Sequence, residues 1–273
     1  MISLNLFGQN GDNNKESFKK IKYYSYTNTD SLLYYAKKLN KSSDKCISDS
    51  GKNNIASAYY KAGNFKKSEE IALEILTSLK DENSICNIDN KLHALTRMFW
   101  IKNNQRKFDE AFNYLNQKIN LLDNYPQKNE RYFRSKLFTQ ISLALLKNNL
   151  GFHQEAIALL KEVIYTYPSI NDVPENTNNN NLVANKASAY NILGESYFAL
   201  NSINNNDKYL DSTLNNYEKA FLEAEKFIPK HKNSLSFYHL RIANVLIKRK
   251  QYKKALKLVN TFDLVKKSQD YYF

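Results

Sequence analysis

Apolar and small residues recur at every third or fourth position along this chain, with charged and amide side chains between them. That is the period of a helix with one buried face, not the alternation of a strand. From Asn53 to Leu79, NNIASAYYKAGNFKKSEEIALEILTSL, the pattern passes through two helical stretches broken at Ala62-Gly63-Asn64-Phe65. From Leu143 to Pro168, LALLKNNLGFHQEAIALLKEVIYTYP, it does so again, with the break at Leu150-Gly151. Tyr190 to Phe221 repeats the design, and shorter versions centre on Phe108, Ala111 and Leu115 and on Tyr252, Ala255 and Val259. DSLLYYAKKL, from Asp30, parallels DSTLNNYEKA, from Asp211. The small position of each second helix aligns at Leu32, Ser68, Ala111, Ala156, Thr213 and Ala255, with spacings of 36, 43, 45, 57 and 42 residues. About six helix–turn–helix pairs are therefore predicted. One pair cannot bury its apolar face alone, but stacked pairs share a core. Expected in that core are Ile55, Tyr59, Phe65, Ala72, Phe108, Ala111, Leu143, Ala156, Leu160, Leu193, Gly194, Tyr197, Tyr217, Ala220, Ala255 and Val259.

These segments resemble tetratricopeptide (TPR) repeats. Leu193, Gly194 and Tyr197 match the first-helix signature; Gly151, Ala156, Leu160 and Val163 match the turn and second helix, and Pro168 falls at the closing proline. Gly63, Phe65, Ala72 and Ile75 match again, after Ala56 and Tyr59. Arg106 and Lys250 stand where glycine is usual, and His153 where an aromatic is usual. The resemblance covers roughly residues 15 to 265. It implies an all-α, right-handed superhelical solenoid of about six TPR-like pairs over residues 15–273. Gly194 inside a helix costs about 1 kcal/mol against Ala, so close helix packing is its expected reason.

Residues 1–14 are set apart as an N-terminal segment. Met1 to Gln9 reads either as the remnant of a signal-peptide core or as a loose, mildly apolar start. The first reading puts the protein outside the cytoplasm, in a periplasm; the second leaves it inside. Ser169 to Asn181 and Ser202 to Lys208, both rich in Asn, read as loops, the latter as an insertion inside the fifth pair. The end, Ser268 to Phe273, reads as the opening of another helix.

Composition supports the helical reading. Only 6 Gly and 4 Pro argue against all-β folds and phosphate-loop enzymes. Asn is abundant, at 38 residues, and as a poor helix former should collect in caps, loops or a functional face. The net charge is +13, but only 6 of the 40 basic residues are Arg, the usual reader of phosphates and base edges. The charge reads as Lys-rich solvated faces, and nucleic-acid binding by this region is not the expectation. Neither Cys46 nor Cys86 lies in a CxxC. Each is placed in a connector after a second helix, one repeat apart, with two free thiols as the default and a disulfide as the alternative in an exported protein. Glu69-Glu70, Asp109-Glu110 and Glu223 with Glu225 read as solvated helix faces. No zinc, nucleophile-elbow or phosphate-loop motif occurs, so no catalytic residue, metal, cofactor or membrane span is expected.

The resemblance implies a concave groove lined by one face of the first helices, open to a peptide or partner protein. Carried over, its candidate binding residues are Asn53, Tyr60, Trp100, Asn104, Asn149, Asn191, Phe198, Arg241 and Asn244. An amide side chain donates and accepts, which suits a peptide backbone. The phrases DSLLYYAKKL and DSTLNNYEKAF also resemble the repeat-bearing sensor halves of bacterial signalling regulators. That implies a non-enzymatic binding module; a basic nucleic-acid-binding repeat protein and a structural adaptor are the alternatives.

Overall fold

The computed structural model describes residues 4–25, 28–79, 84–166, 179–227 and 232–260. Pro168, the Asn-rich tract up to Asn178 and the terminal Ser268 to Phe273 lie outside them. The described residues form twelve helices and no strand: α1 (Leu4–Tyr24), α2 (Thr29–Asn40), α3 (Lys45–Lys61), α4 (Phe65–Ser78), α5 (Ile85–Asn104), α6 (Phe108–Asp123), α7 (Glu130–Asn149), α8 (His153–Thr166), α9 (Asn179–Asn204), α10 (Asp207–Phe227), α11 (Lys232–Lys248) and α12 (Tyr252–Asn260). They make six consecutive pairs, α1/α2 through α11/α12. The sequence boundary at residue 14 falls inside α1.

The chain divides into two compact bodies, one holding α1–α6 and the other α7–α12. In the N-terminal body each helix packs on the next, and the first helices α3 and α5 also touch directly. Ile21, Leu32, Ala36, Leu39, Ile55 and Ala58 form one core cluster; Ile75, Leu79 and Ala94 form another. In the C-terminal body Leu210, Tyr217, Ile242, Ala243, Val245, Leu246 and Ala255 pack together, and α7 touches α9.

The small positions read from the sequence are the tightest contacts. Leu32, Ser68, Ala111, Ala156, Thr213 and Ala255 are all buried, none more than 3% exposed. Ser68 satisfies its hydroxyl on Ala56 O at 2.7 Å, across the hairpin from α4 to α3. Of the other expected core residues, Ile55, Ala72, Leu160, Leu193, Gly194, Tyr217 and Ala220 are buried, while Tyr59, Phe65, Phe108, Leu143, Tyr197 and Val259 are half-buried. Gly194 has the reason expected: a Cβ there would meet the Tyr217 ring at 2.6 Å. Gly51, which the sequence did not single out, sits against the Asn40 backbone, where a Cβ would overlap main-chain atoms.

Asparagine serves the caps, as its chemistry suggests. Asn28, Asn64 and Asn129 accept from the backbone N–H three residues on, and Asp44 does the same for α3. Two expectations change. The stretch from Ser202 is not a loop: α9 runs on through Asn204 and the turn is only Asn205-Asn206, closed by Asn201 donating to Asn206 O at 3.0 Å. Cys46 and Cys86 are not in connectors. They lie in the first turns of α3 and α5, and they form a disulfide with Cα atoms 6.0 Å apart, in place of two free thiols.

Candidate functional site

In the N-terminal body, α3 and α5 bring together a set of polar and aromatic groups. Asn53 is buried and donates to both the backbone oxygen and Oδ1 of Asn90 at 3.1 Å, and Asn90 donates to Cys46 O at 3.3 Å. Beside the disulfide, these amides brace one first helix against the next, so Asn53 serves the fold. One turn on, the Ser57 hydroxyl donates to Asn53 O at 3.0 Å and accepts from Arg97 Nη2 at 2.6 Å. The Arg97 guanidinium lies over the Tyr60 ring at 4.5 Å, and exposed Asn104 donates to the Tyr60 hydroxyl at 2.7 Å. Lys61 donates to Ser25 O. Arg97 is half-buried, Lys61 lies at the exposed edge, and their charges repel. Desolvation first, then Arg97, pushes the Lys61 ammonium down to about 8, and desolvation pushes Arg97 down to about 10. Burial raises the Tyr60 phenol. Trp100 is half-buried and sits edge-on to Phe99.

The C-terminal body carries a related set on α9 and α11. Buried Asn191 donates to Glu195 Oε1 at 3.0 Å, and Glu195 forms an ion pair with Arg241. Arg241 Nη1 reaches the Tyr217 hydroxyl at 3.3 Å, and the guanidinium lies over the Phe237 ring at 4.4 Å. Burial raises the Glu195 carboxyl, against the pull of Arg241 and Asn191, and pushes the Tyr217 phenol up to about 12. Phe198 is half-buried beneath Lys248 Nζ, 4.4 Å from its ring. Asn244, on α11, and Asn149, at the end of α7, are exposed.

Within the N-terminal body, then, Tyr60 and Asn104 meet directly; within the C-terminal body, Asn191 and Arg241 meet through Glu195. Asn53 and Asn191 are spent on internal hydrogen bonds; Trp100 lies on the helix that carries Arg97 and Asn104, and Asn149 and Asn244 are exposed at the surface. Sequence reasoning missed Arg97. Its signal was Arg241: Arg97 precedes Asn104 by the same seven residues that separate Arg241 from Lys248. It also missed Lys102, a buried ammonium held by Glu69 and Glu110 at 2.7 Å each. Those acids, and Glu223 with Lys186 and Lys226, are ion-paired rather than merely solvated. A shallow depression of about 400 Å³ on the C-terminal body, lined in part by Lys161, Tyr165, Tyr190 and Tyr197, carried no sequence signal.

No family model matches the sequence, and no curated protein matches it. Among solved structures, similarity is found to a Podosopora anserina protein of nearly identical TPR-like repeats, described as a kinesin light chain, at a TM-score of 0.44 and 14% identity over 76% of this chain and 94% of that one. No helix among the described residues is long and apolar enough to cross a membrane.

Proposed function

We propose that the chain is a non-enzymatic module that binds a peptide or partner protein on the first-helix face of its repeat pairs. One observation carries this reading. At matched positions in the two bodies, first helices carry aromatic and cationic side chains instead of apolar packing: Tyr60 beneath Arg97 and bonded to Asn104 in one, Phe198 beneath Lys248 and Arg241 paired to Glu195 in the other. Aromatic and Arg side chains that are half-buried and held in place are the usual anchors of protein interfaces. Exposed Asn104, Asn149 and Asn244 add amides suited to a peptide backbone, and Trp100 adds a large ring. Direct nucleic-acid binding draws less support, because Arg241 and Arg249 are paired to Glu195 and to Asp211 within the chain. The resemblance of its repeat phrases places the module, in this reading, in the sensor part of a bacterial signalling or transcriptional regulator.

The test is selection from a peptide library, followed by affinities for Trp100→Ala and Asn149→Ala proteins that melt like the parent. Loss of an anchor ring predicts about a thirtyfold weakening, and loss of one hydrogen bond up to about tenfold. Unchanged affinity in both variants, or steep salt-dependent binding to random DNA in place of peptide, overturns the reading.

A further inference from the structure

We propose that the furrow between the second helices α8 and α10 of the C-terminal body binds a mononucleotide, with its phosphate at Lys161 and its base on Tyr165. The site goes beyond the peptide reading and does not depend on it.

Three helices build the furrow. Tyr190, Leu193 and Tyr197 share one face of α9, at spacings of three and four residues, and form the floor. Asn191 and Glu195 lie on another face of that helix and serve the Arg241 cluster. Lys161 and Tyr165, one turn apart on α8, belong to one wall; Ser212, Asn215, Asn216 and Lys219 on α10 make the other. The space between them is about 400 Å³, within the range of small-ligand sites. Tyr197 stacks on Tyr209, with ring centroids 6.2 Å apart, which fixes one floor ring in place.

Each polar side chain of this lining carries an N–H or O–H donor, and among the described residues no carboxylate lines it. A site of donors and ammonium ions suits a ligand of acceptors and negative charge. Lys161 Nζ stands 5.9 Å from the Tyr197 ring and Lys219 Nζ 5.8 Å from the Tyr190 ring, so each wall sets a cation by the floor. A phosphate monoester brings three acceptor oxygens and close to two negative charges to such cations. The rings call for a second, flat part. Tyr165 lines the furrow yet is 85% exposed, an open aromatic surface on which a base stacks. Ser212 and Asn215 supply a hydroxyl and an amide for the ribose.

Orientation follows from the adjoining depression of about 520 Å³, which shares Tyr190 and Lys219 with the furrow and adds Glu223 and Glu225. Lys161 lines only the acid-free part, so the phosphate belongs there. A strand continuing past Lys219 brings its next phosphate to those carboxylates, which limits the ligand to one nucleotide.

The test is calorimetric titration of the full chain, at one ionic strength, with AMP, GMP, CMP and UMP, the matching nucleosides, glucose 6-phosphate, inorganic phosphate and a twenty-nucleotide oligo-dT. The best nucleotide should bind about tenfold more tightly than its nucleoside, which lacks the anion, and than glucose 6-phosphate or phosphate, which lack the base. Lys161→Gln should lower it to the level of the nucleoside, and Tyr165→Ala to that of glucose 6-phosphate. Both side chains are exposed, so both variants should melt like the parent. Lys253→Gln, which removes the same charge from α12, should change nothing. The site is overturned if no nucleotide binds, if nucleoside, glucose 6-phosphate or phosphate matches the best one, or if either furrow variant leaves its affinity unchanged. An equal loss in Lys253→Gln also overturns it, as attraction to net charge alone. So does oligo-dT held more tightly than any mononucleotide and released by Lys161→Gln. None of these outcomes bears on the peptide selection, so either reading can fail without the other.

Discussion

Arg106 and Lys250 each hold φ at 59°, the left-handed region, while Gly63 and Gly151 reach 75° and 88° at the equivalent turns. All four end a first helix in the same way. The residue itself donates three back, as Gly63 does to Tyr60 O, and the next residue donates five back, as Asn64 does to Tyr59 O. That pairing closes the exposed carbonyls of a helix end and demands φ > 0, which a Cβ resists by roughly 1 kcal/mol. Arg106→Gly and Lys250→Gly should each raise stability by about 0.5–1 kcal/mol, seen as a rise of a few degrees in Tm; a fall would show that these side chains do more than fill a turn. This turn was legible, because the mismatch between Arg106 or Lys250 and the glycine of the pattern is local. The fate of Asn53 and Asn191 was not. The partner of Asn53, Asn90, is identified only by how neighbouring first helices meet; Asn191 turns to Glu195 on its own helix, and composition alone could not tell a buried amide from an offered one. Arg97 escaped notice because the groove positions carried over onto its helix were Trp100 and Asn104, and Arg97 stands about one turn before Trp100.

At the scale of helices, the pattern read from the sequence predicted where each second helix would press on its partner, down to Ser68 and Thr213 standing in for alanine. It did not predict the length of α9, because an Asn-rich stretch has low helix propensity, yet the helix runs on through exposed Ser202, Ile203 and Asn204. Nor did it establish the Cys46–Cys86 bond, since the first turns of α3 and α5 become neighbours only once α4 has folded back. The bond spans a sequence separation of 40 residues. Closing a loop of that size removes chain entropy worth ~4 kcal/mol from the unfolded state. Melting in reductant, or of a Cys46→Ser/Cys86→Ser protein, should show a Tm several degrees lower with the helical signal unchanged below the transition. An identical Tm would mean that the amide brace of Asn53 and Asn90 holds the helices by itself.

For the whole molecule the excess positive charge has a pH signature. Lys118 is buried on α6, and burial pushes its ammonium down to about 7; Lys61 lies at about 8. Both sit well below the ordinary lysine value, so between pH 7 and 10 the unfolded chain binds more protons than the folded one, and stability rises with pH. Above about pH 10 the raised Tyr217 works the other way, because the unfolded chain releases its phenolic proton first. Urea unfolding at pH 7, 8, 9 and 10 should give an increasing free energy, with a shallower slope in Lys118→Met; a flat or falling series would contradict it. In a stack of helix pairs, where each holds only to its neighbours, opening travels inward from an end like a peeling seam. A peel that lifts α1 and α2 takes away Ser25, the backbone acceptor of Lys61, but meets a covalent ring at Cys46. Behind it α3 stays clasped to α5, so the Ser57–Arg97 contact outlasts the shelter on its amino-terminal side and stands more open than before.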